Sequence, residues 1–178
     1  IILHQGIEES TFEAGGLAGG FAARQCEVLT VSAMGRHKAV ELIVEAIALL
    51  RQAGIPATLT LVGPWPDPAY EALVRRRIAE LGLDDQVSLV GQVSRDQLHA
   101  YYARARAFCL LSRCESFGIP AIEAEAFGTP AVVANCGAPP EIAGPGGKVV
   151  PTANPAAAAT ALALMVGDVE TLRRLAAS

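Results

Sequence analysis

The feature that most constrains the fold is a regular alternation of short apolar runs with helical patterns, which begins at residue 27. Apolar runs rich in β-branched residues predict strands, and apolar residues recurring every three to four positions predict helices between them. Strands that are apolar throughout are typical of parallel sheets covered by helices on both faces. With right-handed crossovers, this order predicts an α/β fold with a doubly wound, Rossmann-like parallel sheet. The predicted strands are 27–33, 57–63, 86–91, 107–112, 130–135 and 146–151. The predicted helices are 38–54, 68–82, 95–105, 119–128 and 154–168.

The composition and the charge argue against some classes of protein. The 178 residues are 52% hydrophobic and 18% charged, so the chain can bury a core and is not expected to be disordered. A net charge of −4 gives no reason to expect a nucleic acid or a membrane surface as partner. No apolar run reaches the roughly 18 residues that a membrane-spanning helix needs.

The four cysteines and three histidines do not form a metal-binding pattern. No two cysteines form a Cys-x-x-Cys pair and the histidines are scattered, so we expect no metal site. Free thiols and the lack of a secretory leader predict a cytoplasmic location. The cysteines are Cys26, Cys109, Cys114 and Cys136.

Residues 1–27 precede this alternation and show only weak periodicity. The Gly-rich patch AGGLAGG within them is typical of a linker or loop, so we predict an interdomain linker or the start of a domain there. Residues 28–178 are predicted to form one domain, since their number is close to the usual size of one.

Ligands of a doubly wound sheet bind outside the carboxyl ends of its strands. The predicted elements place five loops at that edge. The residues that could bind a ligand or take part in a reaction are clustered in these loops. The five loops are 33–38, 63–67, 91–94, 112–119 and 135–141.

The loop after the fourth strand combines the start of a helix with two carboxylates. The backbone N–H groups of 117–119 have no partner within the helix, and together with the helix dipole they predict an anion site that Gly118 lets a phosphate approach. Glu115 and Glu123 can each accept two hydrogen bonds from the hydroxyls of a sugar or ribose. The spacing is equally compatible with Glu115 as an exposed turn residue and Glu123 as a solvated helix residue. Glu125 lies on the same predicted helix and is expected to be solvated.

A positively charged loop follows the first strand. Lys38 is predicted at the start of a helix, where the dipole favours anions, and a lysine there indicates that an anion arrives with a ligand. Arg36 and His37 lie in the same loop. Solvent-exposed surface charge is the alternative for all three side chains.

Three other loops are candidates for contact with the same ligand. Gly63 ends a strand where a ligand or another loop could approach the backbone, with a plain turn as the alternative. The backbone of Gln92 and Val93 could pair with the edge of a base. Gly137 precedes two prolines in a rigid loop expected beside the site.

The segment LLSRCESFGIPAIEAEAFGTPAVVANCGAPPEIAG resembles the signature of retaining GT-B glycosyltransferases of family 4, the group 1 family. Members carry a glutamate, seven residues and a second glutamate, followed by Ala-x-Gly-x-Pro-Val-x-Ala and Gly-x-x-Pro-Glu segments. The likeness extends upstream to VSLVGQVSRDQLHAYYARARAFCLLS, LTLVGPWP and HQGIEESTF, so that it covers residues 4–175.

The resemblance implies that the chain is the C-terminal, donor-binding half of such an enzyme. It implies that Glu115 holds hydroxyls of the donor sugar, that Glu123 binds the ribose and that Lys38 neutralises the departing diphosphate. The candidate catalytic residues are therefore Lys38, Glu115 and Arg36. The diphosphate cradle implied by the resemblance is the backbone of Ser116, Phe117, Gly118 and Ile119.

The resemblance also implies the partners of this chain. The donor substrate is expected to be a nucleoside-diphosphate sugar, with no cofactor and no metal. The N-terminal acceptor-binding domain of the family is expected to be absent from this sequence, and any peripheral membrane association would come through that domain. The chain alone is expected to bind nucleotide weakly and to transfer nothing.

The sequence departs from the family pattern at Ala33, where many members carry an arginine. Either Arg36 replaces that arginine or Lys38 acts alone. Two other functions remain open. An epimerase acting on nucleotide sugars would share the phosphate site without needing Glu123. A non-catalytic domain would keep the fold for contacts with proteins, and the missing arginine at Ala33 favours it.

Overall fold

The computed structural model describes residues 7–16, 24–144 and 146–167 of the chain. In these ranges the strands are β1 Glu27–Val31, β2 Thr58–Val62, β3 Val87–Gly91, β4 Ala107–Leu110, β5 Ala131–Ala134 and β6 Lys148–Val150. The α-helices are α1 Glu9–Gly16, α2 Val40–Gln52, α3 Pro68–Glu80, α4 Arg95–Arg104, α5 Ile119–Ala126, α6 Pro139–Ile142 and α7 Pro155–Val166. All six predicted strands and all five predicted helices are present.

The strands form one six-stranded sheet in the order β3-β2-β1-β4-β5-β6, and every neighbouring pair is parallel. β1 lies near the middle, where Leu29 faces Thr60 of β2 on one side and Phe108 of β4 on the other. The order confirms the predicted doubly wound, Rossmann-like α/β fold.

Two apolar layers cover the two faces of the sheet, because successive side chains of a strand point to opposite faces. On one face, Val28 and Leu59 pack with Ile43 and Ile47 of α2 and with helices α3 and α7. On the other face, Leu29, Phe108, Leu110 and Val133 pack with helices α4 and α5. The four inner strands are therefore buried on both faces, which explains their mostly apolar sequences, whereas the edge strands β3 and β6 are partly exposed.

Local sequence signals set two helix starts as predicted. The side chain of Asp67 accepts hydrogen bonds from the N–H groups of Ala69 and Tyr70, and Pro68 occupies the first position of α3. Helix α4 begins with a capping box in which Ser94 and Gln97 bond each other's backbone N–H.

Helices α1 and α6 were not among the predicted elements. Helix α1 lies in the segment interpreted as a linker or domain start, and it packs against α4 and α5. A Cβ added to Gly15 would lie 2.1 Å from the carbonyl oxygen of Ala126, so this glycine allows the close approach of α1 to α5. Tertiary contact stabilises this eight-residue helix, which lacks the length to be stable by propensity alone. Residues 1–6 and 17–23 of the predicted linker lie outside the described ranges.

A buried carboxylate at the start of β1, on the edge of the sheet opposite the predicted ligand edge, connects this strand to β2 and α4 by hydrogen bonds. The side chain of Glu27 is 3% exposed and accepts hydrogen bonds from Arg104 at 2.8 and 2.9 Å and from the hydroxyl of Thr60 at 2.5 Å. Arg104 also stacks on the ring of Tyr101, with 4.2 Å between its guanidinium carbon and the ring centroid. These bonds fully satisfy a charge that would otherwise be costly to bury.

Candidate functional site

The candidate site lies where the strand order reverses direction. The chain passes from β1 outward to β2 and β3, and later from β4 outward to β5 and β6 on the other side. The loops that follow the adjacent strands β1 and β4 therefore diverge and leave a crevice at the carboxyl edge, which is where doubly wound sheets bind ligands. Lys38 and Glu115 come from these two loops.

Lys38 and Glu115 form an ion pair in this crevice. The Nζ of Lys38 lies 2.6 Å from Oε2 of Glu115, and their side chains are only 15% and 11% exposed. The hydroxyl of Ser112 donates to the same carboxylate oxygen at 3.1 Å. The structure therefore brings together the two residues that the sequence predicted separately as catalytic.

The surroundings of Glu115 favour its charged form. Burial acts to raise the pKa of this carboxyl, but hydrogen bonds from Lys38 and Ser112, the charge of Lys38 and the backbone N–H of Gly118 outweigh it, so the pKa is held below its usual range. Glu115 is therefore an acceptor for hydrogen bonds at neutral pH and adds negative charge beside the helix start.

The start of α5 supplies amide groups beside this pair. Gly118 is the N-cap residue with φ of 73°, a conformation that glycine adopts without strain, and Pro120 lies in the first turn. The backbone N–H of Gly118 lies close enough to Glu115 to lower the pKa of its carboxyl. That the N–H groups of 117–119 bind a ligand stays a prediction. No described residue accepts a hydrogen bond from the N–H of Phe117 or Ile119.

Gly137 determines how closely the loop after β5 approaches Glu115. Its φ is 60°, and a Cβ added there would lie 1.8 Å from the carbonyl oxygen of Glu115. Cys136, its neighbour, donates its thiol to the carbonyl of Ser112 at 2.9 Å. The loop expected beside the site thus packs directly against the backbone that carries Glu115.

Lys38 does not begin the α-helix as predicted. It ends a 3-10 turn formed by Arg36–Lys38, Ala39 follows with φ of 50°, and α2 begins at Val40. Lys38 is therefore separated from the first turn of α2. Its charge is compensated by Glu115, which resolves the electrostatic conflict that a lysine at a helix start poses.

Arg36 and His37, the other two basic residues of this loop, point away from the crevice, toward α3 and toward solvent. The Nε of Arg36 donates to Oδ2 of Asp67 at 2.9 Å, and its guanidinium lies 5.5 Å from the ring centroid of Tyr70. Arg36 is exposed and does not contact the Lys38–Glu115 pair. His37 is exposed, and its carbonyl accepts a hydrogen bond from the N–H of Arg113.

Glu123 is positioned by a buried tyrosine of the neighbouring helix. The hydroxyl of Tyr102, which is fully buried in α4, donates to Oε2 of Glu123 at 2.8 Å. Burial and the nearby Glu123 charge both raise the pKa of Tyr102 well above its usual value, so the phenol stays protonated and remains a donor. No described residue donates a hydrogen bond to the other carboxylate oxygen of Glu123.

Gly63, Gln92 and Val93, the other residues predicted to contact the donor substrate, lie at the carboxyl edge but differ in what surrounds them. Gly63 has φ of 133° and an added Cβ would lie 1.9 Å from the carbonyl oxygen of Ser32, so a protein loop approaches its backbone. The side chain of Val93 packs on the α4 and α5 side of the core, while Gln92 is exposed. Glu125 was expected to be solvated, but it is half-buried and accepts from the N–H of Gly144 at 2.8 Å.

Sequence reasoning missed the residues that hold the predicted ones in place. Ser112 bonds Glu115, Tyr102 bonds Glu123, and Arg113 reaches the loop of Lys38. A hydroxyl two residues after the end of β4 was the available signal for Ser112, because side chains at that position lie at the ligand edge. The contacts of Tyr102 and Arg113 depend on packing between distant segments and carry no local signal.

Three negative findings apply to residues 7–16, 24–144 and 146–167. No helix in these ranges is long and apolar enough to cross a bilayer. Nor do these ranges contain three or more His, Cys, Asp or Glu side chains grouped so that they could hold a metal ion. The cysteines form no disulfide within them.

Known proteins resemble the chain in sequence and in structure. GDP-mannose:cellobiosyl-diphosphopolyprenol alpha-mannosyltransferase of Xanthomonas oryzae pv. oryzae (strain PXO99A) is 36% identical over 97 residues, which are 53% of this chain and 26% of that protein. Sucrose-phosphate synthase from Thermosynechococcus elongatus has a TM-score of 0.73 and 32% identity, over 86% of this chain and 39% of that one. A glycosyltransferase from Rickettsia africae ESF-5 shares the fold, with a TM-score of 0.80 and 21% identity over 93% of this chain and 46% of that one.

The matched region is a fraction of these longer proteins, since the chain spans between 22% and 29% of the length of the curated relatives it matches. The model of the family described as glycosyl transferases group 1 matches residues 19–178, which include all six strands and both loops of the crevice. This match confirms the resemblance to the group 1 family that the glutamate-containing segment indicated. The chain belongs to the family of glycosyl transferases group 1.

Proposed function

We propose that this chain is the donor-binding domain of a retaining glycosyltransferase that moves a sugar from a nucleoside diphosphate to an acceptor hydroxyl. The observation that carries the proposal is the Lys38–Glu115 pair, which lies at the switch point of the sheet beside the start of α5. A cation, available amides and a carboxylate in one crevice match the phosphate and hydroxyl groups of a nucleotide sugar. Retention is proposed from the resemblance of the Glu115-to-Glu123 segment to retaining enzymes.

Each group has a separate role in this proposal. Negative charge develops on the diphosphate as it leaves the sugar, and the ammonium of Lys38 and the amides at the start of α5 stabilise it. Glu115 accepts hydrogen bonds from hydroxyls of the donor sugar, and Glu123 accepts them from the ribose. Lys38 must exchange Glu115 for a phosphate oxygen when the donor binds. No further cofactor is needed in this proposal, because the protein supplies the positive potential.

The donor class can be narrowed from the relatives, whereas the acceptor cannot. The Xanthomonas enzyme is named for GDP-mannose, and the Thermosynechococcus enzyme for sucrose phosphate. We propose a nucleoside-diphosphate hexose as donor. Only the Xanthomonas name gives an acceptor, cellobiosyl-diphosphopolyprenol. We propose that a second domain, outside the part that this chain matches, binds the acceptor and forms the other wall of the cleft. The chain alone then binds donor without transferring it.

The cellular location follows from the state of the thiols in this proposal. Cys109 is fully buried, and burial raises the pKa of its thiol, so it is unreactive. Cysteines that form no disulfide suit a reducing compartment, and we propose the cytoplasm.

The proposal is tested by calorimetric titration of the chain with UDP, GDP and ADP and with the matching nucleosides. We expect one diphosphate to bind and its nucleoside to bind at least tenfold more weakly, a difference of about 1.4 kcal/mol or more, because the nucleoside lacks the charged groups that Lys38 and the amides are proposed to bind. Lys38→Met should remove most of that difference. In an enzyme that contains both domains, the same change should lower turnover about 100-fold, the effect of losing about 3 kcal/mol of transition-state stabilisation.

The same titration tests one of the two alternatives, and an assay of sugar conversion tests the other. A non-catalytic domain kept for protein contacts binds none of the three diphosphates. An epimerase converts its nucleotide sugar without any acceptor, which proton NMR of the bound and released sugar detects. Conversion of the sugar by the chain alone would therefore replace the glycosyltransferase proposal.

A further inference from the structure

The turn that carries Lys38 has a backbone conformation that surrounding contacts must maintain. Ala39, directly after the 3-10 turn, has φ of 50°, in the left-handed region that residues other than glycine adopt at a cost. Lys38 itself points into the crevice toward Glu115. The position of its ammonium therefore depends on the groups that hold this turn.

Arg113, from the loop after β4, holds the turn through three hydrogen bonds. Its backbone N–H donates to the carbonyl of His37 at 2.7 Å, and its Nη1 donates to the carbonyl of Arg36 at 3.2 Å. Its Nη2 donates to Oε1 of Glu41 at 2.8 Å. Two of these bonds end on the residues immediately before Lys38, and the third ends on the first turn of α2.

Tyr70 completes the support from the side of α3. Its buried hydroxyl accepts a hydrogen bond from the N–H of Val40 at 2.7 Å and donates to Oε2 of Glu41. Each oxygen of the Glu41 carboxylate therefore has its own donor, one from Tyr70 and one from Arg113. The start of α2 is thereby fixed against both α3 and the loop after β4.

These contacts join the same two loops that the Lys38–Glu115 pair joins. Arg113 lies between Ser112, which bonds Glu115, and Glu115 itself. If Lys38 leaves Glu115 for a phosphate, the ion pair no longer connects the loops. The bonds of Arg113 do not involve Lys38 or Glu115 side chains, so they can remain.

We propose that Arg113 is a positioning residue, which keeps the loop of Lys38 against the loop of Glu115 while Lys38 exchanges its carboxylate partner for the donor diphosphate. This inference rests on the proposed function of Lys38. Arg113 touches no donor atom and acts through two carbonyl groups and Glu41. It thereby orients the ammonium toward the start of α5.

A binding experiment distinguishes this role from one in fold stability alone. The chain is titrated with the diphosphate that the wild type binds and with the matching nucleoside, in the variants Arg113→Ala and Arg113→Lys. We expect Arg113→Ala to weaken diphosphate binding roughly tenfold, equivalent to ~1.4 kcal/mol, and to leave nucleoside binding unchanged. Arg113→Lys should recover part of the loss, since a lysine can still pair with Glu41.

The control is Arg75→Ala, which removes another exposed arginine whose ion pair, with Glu71 on α3, lies away from the crevice. It should change neither affinity. Arg113 is half exposed, so its replacement is expected to leave the chain folded, which circular dichroism checks. Equal affinities of wild type and Arg113→Ala for the diphosphate, or equal losses for diphosphate and nucleoside, would overturn the proposal.

A second measurement reports the position of Lys38 without any nucleotide. The rate at which an amine-specific acylating reagent modifies Lys38 is followed by mass spectrometry of its peptide. Lys38 is 15% exposed, and we expect its modification to be at least threefold faster in Arg113→Ala, with no change in Arg75→Ala. If the wild type binds no nucleotide, the proposed function fails, and this rate still decides whether Arg113 positions Lys38; an unchanged rate would refute that role.

Discussion

The ammonium of Lys38 lies 2.6 Å from the carboxylate of Glu115, although the two residues are 77 positions apart in the chain. They come from loops that follow the adjacent strands β1 and β4, which the sheet brings together at its carboxyl edge. Each group compensates the charge of the other in the structure. Any anion that binds Lys38 must therefore compete with Glu115.

This competition predicts an unusual effect of Glu115→Gln on ligand binding. The change removes a negative charge beside the proposed diphosphate site and releases Lys38, so we expect the nucleoside diphosphate alone to bind about threefold more tightly, a gain of ~0.65 kcal/mol. The additional affinity contributed by the donor sugar should fall, because an amide replaces the charged acceptor of its hydroxyls. Calorimetry with the diphosphate and its sugar measures both effects. Glu80→Gln, on the exposed face of α3, is the control, and weaker diphosphate binding by Glu115→Gln would contradict the competition.

The same ion pair predicts how stability depends on pH. The pKa of Glu115 is lowered in the folded protein, so its contribution to stability is fully present above its unfolded pKa of about 4.3 and is lost as the pH falls through the lower folded value. We expect the free energy of unfolding of Glu115→Gln to decline less than that of the wild type below about pH 4. Urea unfolding between pH 3 and pH 7 measures this difference. Parallel declines in the two proteins would show that the pair does not stabilise the folded state.

Gly137→Ala tests the close approach of the loop after β5 to the site. An added methyl would meet the carbonyl oxygen of Glu115 at 1.8 Å. Neither atom can rotate away, because the backbone fixes the position of the Cβ and the oxygen belongs to the backbone. Gly82→Ala is a matched control, since Gly82 has φ of 65° but an added Cβ there meets nothing within 4 Å. We expect Gly82→Ala to lower the free energy of unfolding by about 1 kcal/mol and Gly137→Ala to lower it by more than twice as much. Gly137→Ala should also lose diphosphate binding. Similar costs in thermal unfolding would mean that the loop moves aside freely.

The sheet could be predicted because its determinants are local in sequence. The four inner strands are buried on both faces and need apolar residues there, whereas the edge strands β3 and β6 are partly exposed and are visible only as short β-rich runs. The caps of α3 and α4 involve residues two to three positions apart. Helix α1 was missed because its stability comes from contact with α4 and α5 rather than from its own pattern. Lys38 and Glu115 could be selected as candidates because, in a parallel sheet, the loops that follow the strands lie at the ligand edge.

The supporting contacts could not be predicted, because they depend on side-chain directions that packing decides. Tyr102 reaches Glu123 only because α4 and α5 lie side by side on the same face of the sheet. The N–H of Gly118 was expected to face a ligand, and packing also places it near the Glu115 carboxyl, whose pKa it lowers. A carboxylate three residues before a helix start can act on the helix or on a ligand, and residue spacing does not distinguish the two.

Glu27 is expected to be important for stability rather than for ligand binding. Its buried carboxylate receives hydrogen bonds from Arg104 and Thr60, and Glu27→Ala leaves both of these donors without their acceptor. We expect the free energy of unfolding to fall by about 3 kcal/mol. This value is at the lower end of the range for a broken buried ion pair, because the partly exposed Arg104 can still be hydrated. Arg75→Ala, which breaks an exposed pair, should change it by less than about 1 kcal/mol. Urea unfolding measures both, and equal small losses would contradict the role of burial.

Tyr102→Phe tests whether the orientation of Glu123 matters for a ribose. The change keeps the buried ring and removes the hydroxyl that donates to Glu123 at 2.8 Å, so the carboxylate is no longer held toward α4. We expect a stability loss of about 1 kcal/mol. We also expect several-fold weaker binding of the nucleoside diphosphate, with no change for its 2′,3′-dideoxy analogue, because only the former carries the hydroxyls that Glu123 is proposed to bind. Tyr101→Phe is the control, since the ring of Tyr101 lies under Arg104 instead. If calorimetric titration shows that Tyr102→Phe binds both ligands equally more weakly than the wild type, Tyr102 supports the fold and Glu123 does not bind the ribose hydroxyls.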